Sequence, residues 1–217
     1  PPQSASPIRT RLLTDKQYVN TITQVFGADI SESVLPPIPP MERTDGLLAS
    51  GAAFVGVTSD QISQIQLAAA TVAQKVVDEE HRDFLIPCSP ESAIAADPVC
   101  AGLFLAETGR LLLRGSMDET RLAQLVDVAS YAAEQTEDFY DGLALALEAI
   151  LISPEFVFIV DSVEPDPERP AQQRLDSYSL ASRLSFFLWN AAPDDALLQA
   201  AENGELHTPQ GLARAVD

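Results

Sequence analysis

The chain has 217 residues, of which 46% are hydrophobic, and its 13 Lys and Arg face 32 Asp and Glu for a formal net charge of −19. It is long enough for a sizeable core and too apolar to be disordered. The charge argues against nucleic acid and anionic membrane surfaces, since both need a basic face, and no run approaches the roughly 20 apolar residues of a membrane span.

The opening residues, PPQSASP, lack a signal-peptide pattern and read as a processed terminus or exposed tether. Thr14 or Asp15 then caps a helix with Tyr18, Ile22, Val25 and Phe26 on its apolar face, and Gly27 is its stop. Ala28 to Thr58 reads as a long loop, because Pro36, Pro37, Pro39 and Pro40 exclude helix and central strand. A loop of that length inside a compact domain is either functional or wraps the surface.

Thr58 or Ser59 caps the next helix, Asp60 to Val77, whose stripe is Ile62, Ile65, Ala69, Val72, Ala73 and Val76. The DEEHRD run that follows reads as a solvated helix end. Asp97-Pro98 opens a helix carrying Val99, Leu103, Ala106 and Leu113. Ser116 and Glu119 form a capping box for a helix using Leu122, Leu125, Val126, Ala129 and Ala132. Thr136 caps another, with Phe139, Leu143, Leu147, Ile150 and Leu151 in register, stopped by Ser153-Pro154. Phe156 to Val160 is strand-like but too short and too alone to make a sheet, and Asp161 to Gln173 reads as a polar, proline-rich linker.

Asp176 or Ser177 caps a helix in which Leu180, Leu184, Phe187 and Leu188 share one face, while Phe186 and Trp189 make the last turn apolar nearly all round. Such a helix is expected to lie buried at the centre of an all-α body. Pro193 suits the first turn of the next helix, with Asp194 and Asp195 at its positive end. Thr208-Pro209 starts one more helix, which reaches Asp217 after little more than two turns. The sequence is therefore expected to be the N-terminal part of a longer protein. The fold expected is an irregular all-α bundle of about seven or eight helices with a long proline-rich loop. Its expected divisions are 1–86, a helical domain with the loop; 87–160, a second helical domain; and 161–217, a linker and the truncated start of a central domain.

Cys88 and Cys100 flank eleven residues. They are either two buried thiols or one local disulfide, and the bridge is preferred because the pair brackets a loop and is the only pair. In an exported protein it would contribute on the order of 3 kcal/mol. No CxxC or CxxCH occurs, so no c-type haem can attach covalently by that motif. No metal site, phosphate loop or nucleophile motif is present, and no catalytic residue can be named. His81 and His207 sit among polar residues and read as surface histidines. Either, or more weakly Met41 or Met117, has the chemistry of an axial ligand to a haem carried elsewhere. Arg183, mid-helix on an apolar element, needs a carboxylate partner or a ligand, and a structural ion pair is the simpler reading.

The motif ASRLSFFLWNAAPDDALL, followed by Gly204-Glu205-Leu206, resembles the central domain of large exported bacterial proteins abundant in planctomycetes and myxobacteria. Their domains have unknown function, and the proteins usually carry a c-type haem. RLLTDKQYVNTITQVFG resembles the family's opening motif, VTSDQISQIQLAAATVAQKV the helix after it, and ALALEAILISPEFVF the stretch before the central helix. Cys88 through Leu122 is similar to the intervening domain, with its basic segment thinned to Arg110 and Arg114. The resemblance implies a periplasmic or envelope location and a redox setting. It also implies that haem c lies on a C-terminal part or second subunit, not on this segment. The function it implies is the helical part of a haem-c-dependent oxidoreductase, packing against the haem-bearing part. The alternative is a non-catalytic scaffold or interaction module of the cell envelope, with polymer binding as one such role.

Overall fold

The computed structural model describes residues 10–34, 38, 57–115 and 117–216. Met41 and the prolines at 36, 37, 39 and 40 lie outside them. The described part is mostly helical. Strand β1 (Thr10–Leu12) leads into α1 (Asp15–Phe26), where Thr14 and Gln17 form a reciprocal capping box. Gly27, at φ 94, turns the chain into a short α2 (Ala28–Glu32), so the segment expected to be loop from Ala28 begins as helix. α3 (Ser59–Val77) starts from a second capping box, Thr58 with Gln61. A four-residue α4 (Arg82–Leu85) follows, and then α5 (Pro98–Leu113), α6 (Glu119–Thr136) and α7 (Phe139–Leu151).

Three caps differ from the sequence expectation. Asp118 accepts from the Arg121 N–H and caps α6, two residues past the expected Ser116. Asp138, at the tight corner after Glu137 (φ 54), caps α7, which leaves Thr136 inside α6. Asp194 caps the later helix, which begins at Asp195 and not at Pro193. In each case an aspartate offers a carboxylate oxygen to the free N–H groups of the first turn.

Helices α3, α5, α6 and α7 pack into one bundle. α6 and α7 lie closest, because Gly142 has no side chain: a Cβ there would meet the Ala129 carbonyl oxygen at 2.3 Å. Phe139, Leu143, Leu147, Ile150 and Leu151 of α7 are all buried, as their spacing predicts. α5 turns the other way. Val99 and Leu103 are exposed, while Phe104, Leu105 and Leu112 are buried. Apolar residues nearly all round this helix leave periodicity unable to choose its inner face.

Ser153 caps a one-turn α8 (Pro154–Val157), and β2 (Phe158–Val160) pairs antiparallel with β1, Leu12 opposite Phe158. The strand-like run was expected to be alone, but its partner comes from the start of the chain, where no local signal points to it. The expected linker also holds structure: β3 (Val163–Pro165) pairs with β4 (Gln173–Leu175), Val163 opposite Leu175. One apolar core runs from Leu12 through Ile159, crossing position 86/87 without a break, and takes in Phe186 and Ala192. A second, smaller core joins Ala181, Leu197, Ala201 and Leu206. It is built by α9 (Ser177–Leu188), α10 (Asp195–Glu202), a 3-10 turn (Glu205–His207) and α11 (Pro209–Arg214). The disulfide between Cys88 and Cys100 is formed, with Cα atoms 5.6 Å apart.

Candidate functional site

Helix α9 starts at Asp176, which accepts from the Ser179 N–H at 2.6 Å. Its buried residues are Ser179, Ala181, Ser182, Ser185 and Phe186, mostly small side chains that let the backbone lie close to the body. The bulky residues of its last turn face outward: Phe187 is 85% exposed, Trp189 52% and Leu188 40%. The expectation that this turn is buried is corrected, and the cause lies just beyond the helix. Asn190 adopts φ 56, and its carbonyl oxygen accepts from Asn20 Nδ2 at 3.1 Å. Ala192 N–H donates to Thr21 Oγ1 at 3.2 Å, and Ser185 Oγ donates to the Ala191 carbonyl at 2.8 Å. These bonds pin the small residues Ala191 and Ala192 onto α1, which rotates Trp189 away from the core. Beside Trp189 an open cleft of about 380 Å³ is lined by Asp194, Leu197, Ala200, Arg214 and Ala215 among others.

Arg183 finds a carboxylate. Its Nε and Nη2 donate to Asp161 Oδ2 at 3.1 and 2.6 Å, and the Asp161 side chain is 3% exposed against 45% for Arg183. Arg11 completes the group. Burial pushes its guanidinium below the ordinary arginine range, the Asp161 charge opposes that, and Arg183 adds to it. The arrangement is a structural cation–carboxylate–cation cluster joining β1, the end of β2 and α9. The two arginines of the thinned basic segment are also structural. Arg110 pairs with Asp195, and with Glu202 at 3.7 Å, tying α5 to α10. Arg114 is buried against backbone carbonyls.

The residues with haem-ligand chemistry are not brought together. His81 Nδ1 sits 2.6 Å from Asp78 Oδ1, in the turn after α3. Burial works against the charge of Asp78, but hydrogen bonds from His81 and from the Glu80 N–H outweigh it and hold the carboxyl below its usual range. His207 Nε2 faces Glu164 Oε1 at 3.5 Å, and Arg174 Nε binds the same oxygen at 2.6 Å. Both histidine side chains are only 13–14% exposed, so they are half-buried pairs and not the surface residues expected. Met117 packs on the core over Gly109, where a Cβ would meet its Cε at 2.0 Å. His81 thus holds Asp78 through Nδ1, His207 Nε2 is buried with no hydrogen-bond partner among the described residues, and Met117 packs against the core, so each of the three side chains has its own setting. Among the described residues no group of three or more His, Cys, Asp or Glu is placed to hold a metal ion.

From the sequence, Phe187 reads as a core residue and Asp161 only as the start of a linker. The only signal available for Asp161 was the unpaired Arg183. No helix among the described residues is long and apolar enough to cross a membrane. No curated protein matches the chain, and no solved structure does. Residues 100–161 match the family described as PSD5, protein of unknown function (DUF1595), and residues 175–217, which hold α9 and its cleft, match PSD4, protein of unknown function (DUF1592).

Proposed function

We propose that this chain is a helical docking module of an exported redox protein, and that the end of α9 packs against a part or partner subunit carrying c-type haem. The observation behind this reading is the row Phe187, Leu188 and Trp189, three large apolar side chains exposed in succession on an otherwise acidic protein. Contiguous exposed apolar surface of this kind marks interaction sites more often than it decorates a free surface. Trp and Phe are also side chains that carry binding energy when a partner excludes water from them. The redox element rests on the motif resemblance around Trp189. When bound by such a partner, haem would supply one-electron chemistry; the role of this chain is to hold the partner and shape its surroundings.

The test is to purify the tagged chain from its native host and to record absorbance alongside intact mass. A Soret-absorbing chain that co-purifies with the wild type and is lost from the double variant Phe187→Ser/Trp189→Ser supports the proposal. A colourless wild type that stays monomeric overturns it and leaves the scaffold alternative. Haem retained equally by wild type and variant overturns the assignment to α9.

A further inference from the structure

A second surface lies where α1, α4 and α5 meet. Two adjoining cavities there, of about 260 and 350 Å³, share Phe26, Phe84 and Leu85 as lining and so form one groove. Its floor is apolar: Phe26 and Phe104 are buried, and Leu85 packs on the main core. Phe84 stands over both cavities at 88% exposure, the highest among the large apolar residues described. The rim carries the carboxylates of Asp29, Glu80 and Glu107, all exposed and none in an ion pair with a described residue, and beside them His81, whose Nδ1 lies 2.6 Å from Asp78 Oδ1. No Lys or Arg is among the lining residues. Arg82, next in the chain to His81, is engaged elsewhere, its guanidinium 4.3 Å from the Tyr140 ring centroid and its Nη2 3.7 Å from Glu79. One wall is held rigid, because Pro87 precedes Cys88, which is bridged to the first turn of α5.

An apolar floor inside a rim of three carboxylates, none in an ion pair among the described residues, is complementary to one kind of occupant. We infer that this groove binds a cationic amphipathic segment, a helix whose bulky apolar residues fill the two cavities around Phe84 while flanking Lys or Arg meet Asp29, Glu80 and Glu107. Helix-in-groove recognition has this division of labour, apolar anchors for affinity and rim charges for partner choice and on-rate. An anionic or neutral segment would leave three carboxylates facing it unpaired. The groove shares no lining residue with the α9 cleft, so this inference stands apart from the docking proposed there.

The probe is a fluorescent synthetic helix of Leu and Lys, about 14 residues or roughly 21 Å long, with a Leu–Glu counterpart as control, titrated against the full chain by anisotropy. The Leu–Lys helix is expected to bind, to weaken as salt rises, and to lose about tenfold or more in affinity with Phe84→Ser, as an anchor residue should. Glu80→Gln/Glu107→Gln should weaken it too, and Phe187→Ser should leave it unchanged. Each substituted side chain is exposed, so circular dichroism should report intact folds. No binding of the Leu–Lys helix overturns the inference. So does equal binding to wild type and both groove variants, which would place the peptide elsewhere on the acidic surface. Loss confined to Phe187→Ser would also overturn it.

Discussion

The Arg114 guanidinium donates through Nη1 to the carbonyl oxygen of Phe156 at 3.1 Å, across 42 positions of chain. It also donates to the carbonyls of Phe158 at 2.9 Å, of Leu112 at 3.2 Å and of Glu155, and it faces the Phe186 ring at 5.8 Å. One side chain thus ties the end of α5 to the junction of α8 and β2 and to α9. Burial pushes its pKa down to about 10, so it stays charged at neutral pH with carbonyl dipoles in place of a carboxylate. Arg114→Met keeps most of the volume but leaves several buried carbonyls without a donor, and should cost about 2–4 kcal/mol. Arg114→Lys should fall between, since one ammonium cannot reproduce a planar fork. Urea unfolding checks both, and a loss below about 1 kcal/mol for the Met variant would show that water replaces the guanidinium.

Asp161 is the buried partner in the second arginine cluster, with Arg183 bonded to it and Arg11 close enough to feel its charge. Asp161→Asn keeps the shape and removes the charge, leaving two cations without their counter-ion. Because Arg183 is 45% exposed, water offsets part of that loss; the expected cost is about 1–3 kcal/mol. A double-mutant cycle with Arg183→Met measures it, and additive losses would mean the pair is not coupled.

The regular part of the bundle was legible in the sequence. Helix α7 carries both its charges, Asp141 and Glu148, on one side together with the half-exposed Leu145, so its five predicted core residues have only one way to point. Helix α9 was legible as a helix but not in its orientation. Its period is satisfied by either face, and what decides between them is the bonding of Asn190 and Ala192 to Asn20 and Thr21, some 170 positions away. The β1–β2 pair was hidden for the same reason, since each strand has three residues and its partner lies at the other end of the domain. Arg114 left no trace because its partners are backbone carbonyls, which every residue has. At the candidate site the motif around Trp189 could be read, but its exposure could not.

Gly142 sets the approach of α6 and α7. A methyl group there would meet the Ala129 carbonyl at 2.3 Å and the Ala133 Cβ at 2.8 Å. Neither is the far end of a flexible side chain, so the helices must separate. Gly142→Ala, despite its gain in helix propensity, should destabilise by about 1–3 kcal/mol through overpacking. Thermal unfolding checks it, and an unchanged or raised Tm would show that the pair can slide apart freely.

The Cys88–Cys100 bridge closes a short loop and anchors the start of α5. Reduction should lower stability by on the order of 3 kcal/mol, mainly by freeing the unfolded chain. Thiol titration of the native, unreduced protein should find no free cysteine. The groove beside Pro87 should lose peptide affinity on reduction even under conditions where helical content holds, which separates loosening of its wall from global unfolding.

Tyr18 gives the chain a testable pH response. It is fully buried, with its ring edge-to-face on Phe156 at 5.5 Å between centroids, and its hydroxyl has no hydrogen-bond partner among the described residues. Burial raises its pKa above the ordinary value of 10.0. The folded protein therefore keeps the phenolic proton where the unfolded chain has lost it. By linkage this contribution is fully present below the unfolded pKa and is lost as pH rises from there towards the folded one. Tyr18→Phe removes both the titration and the unpaired hydroxyl. It should stabilise by about 1 kcal/mol at neutral pH, and its stability should fall less steeply above pH 10 than that of the wild type. Urea unfolding of both proteins at pH 8 and pH 11 measures the two effects together. A destabilised Phe variant would mean that the hydroxyl is bonded, through water, to a group that needs it.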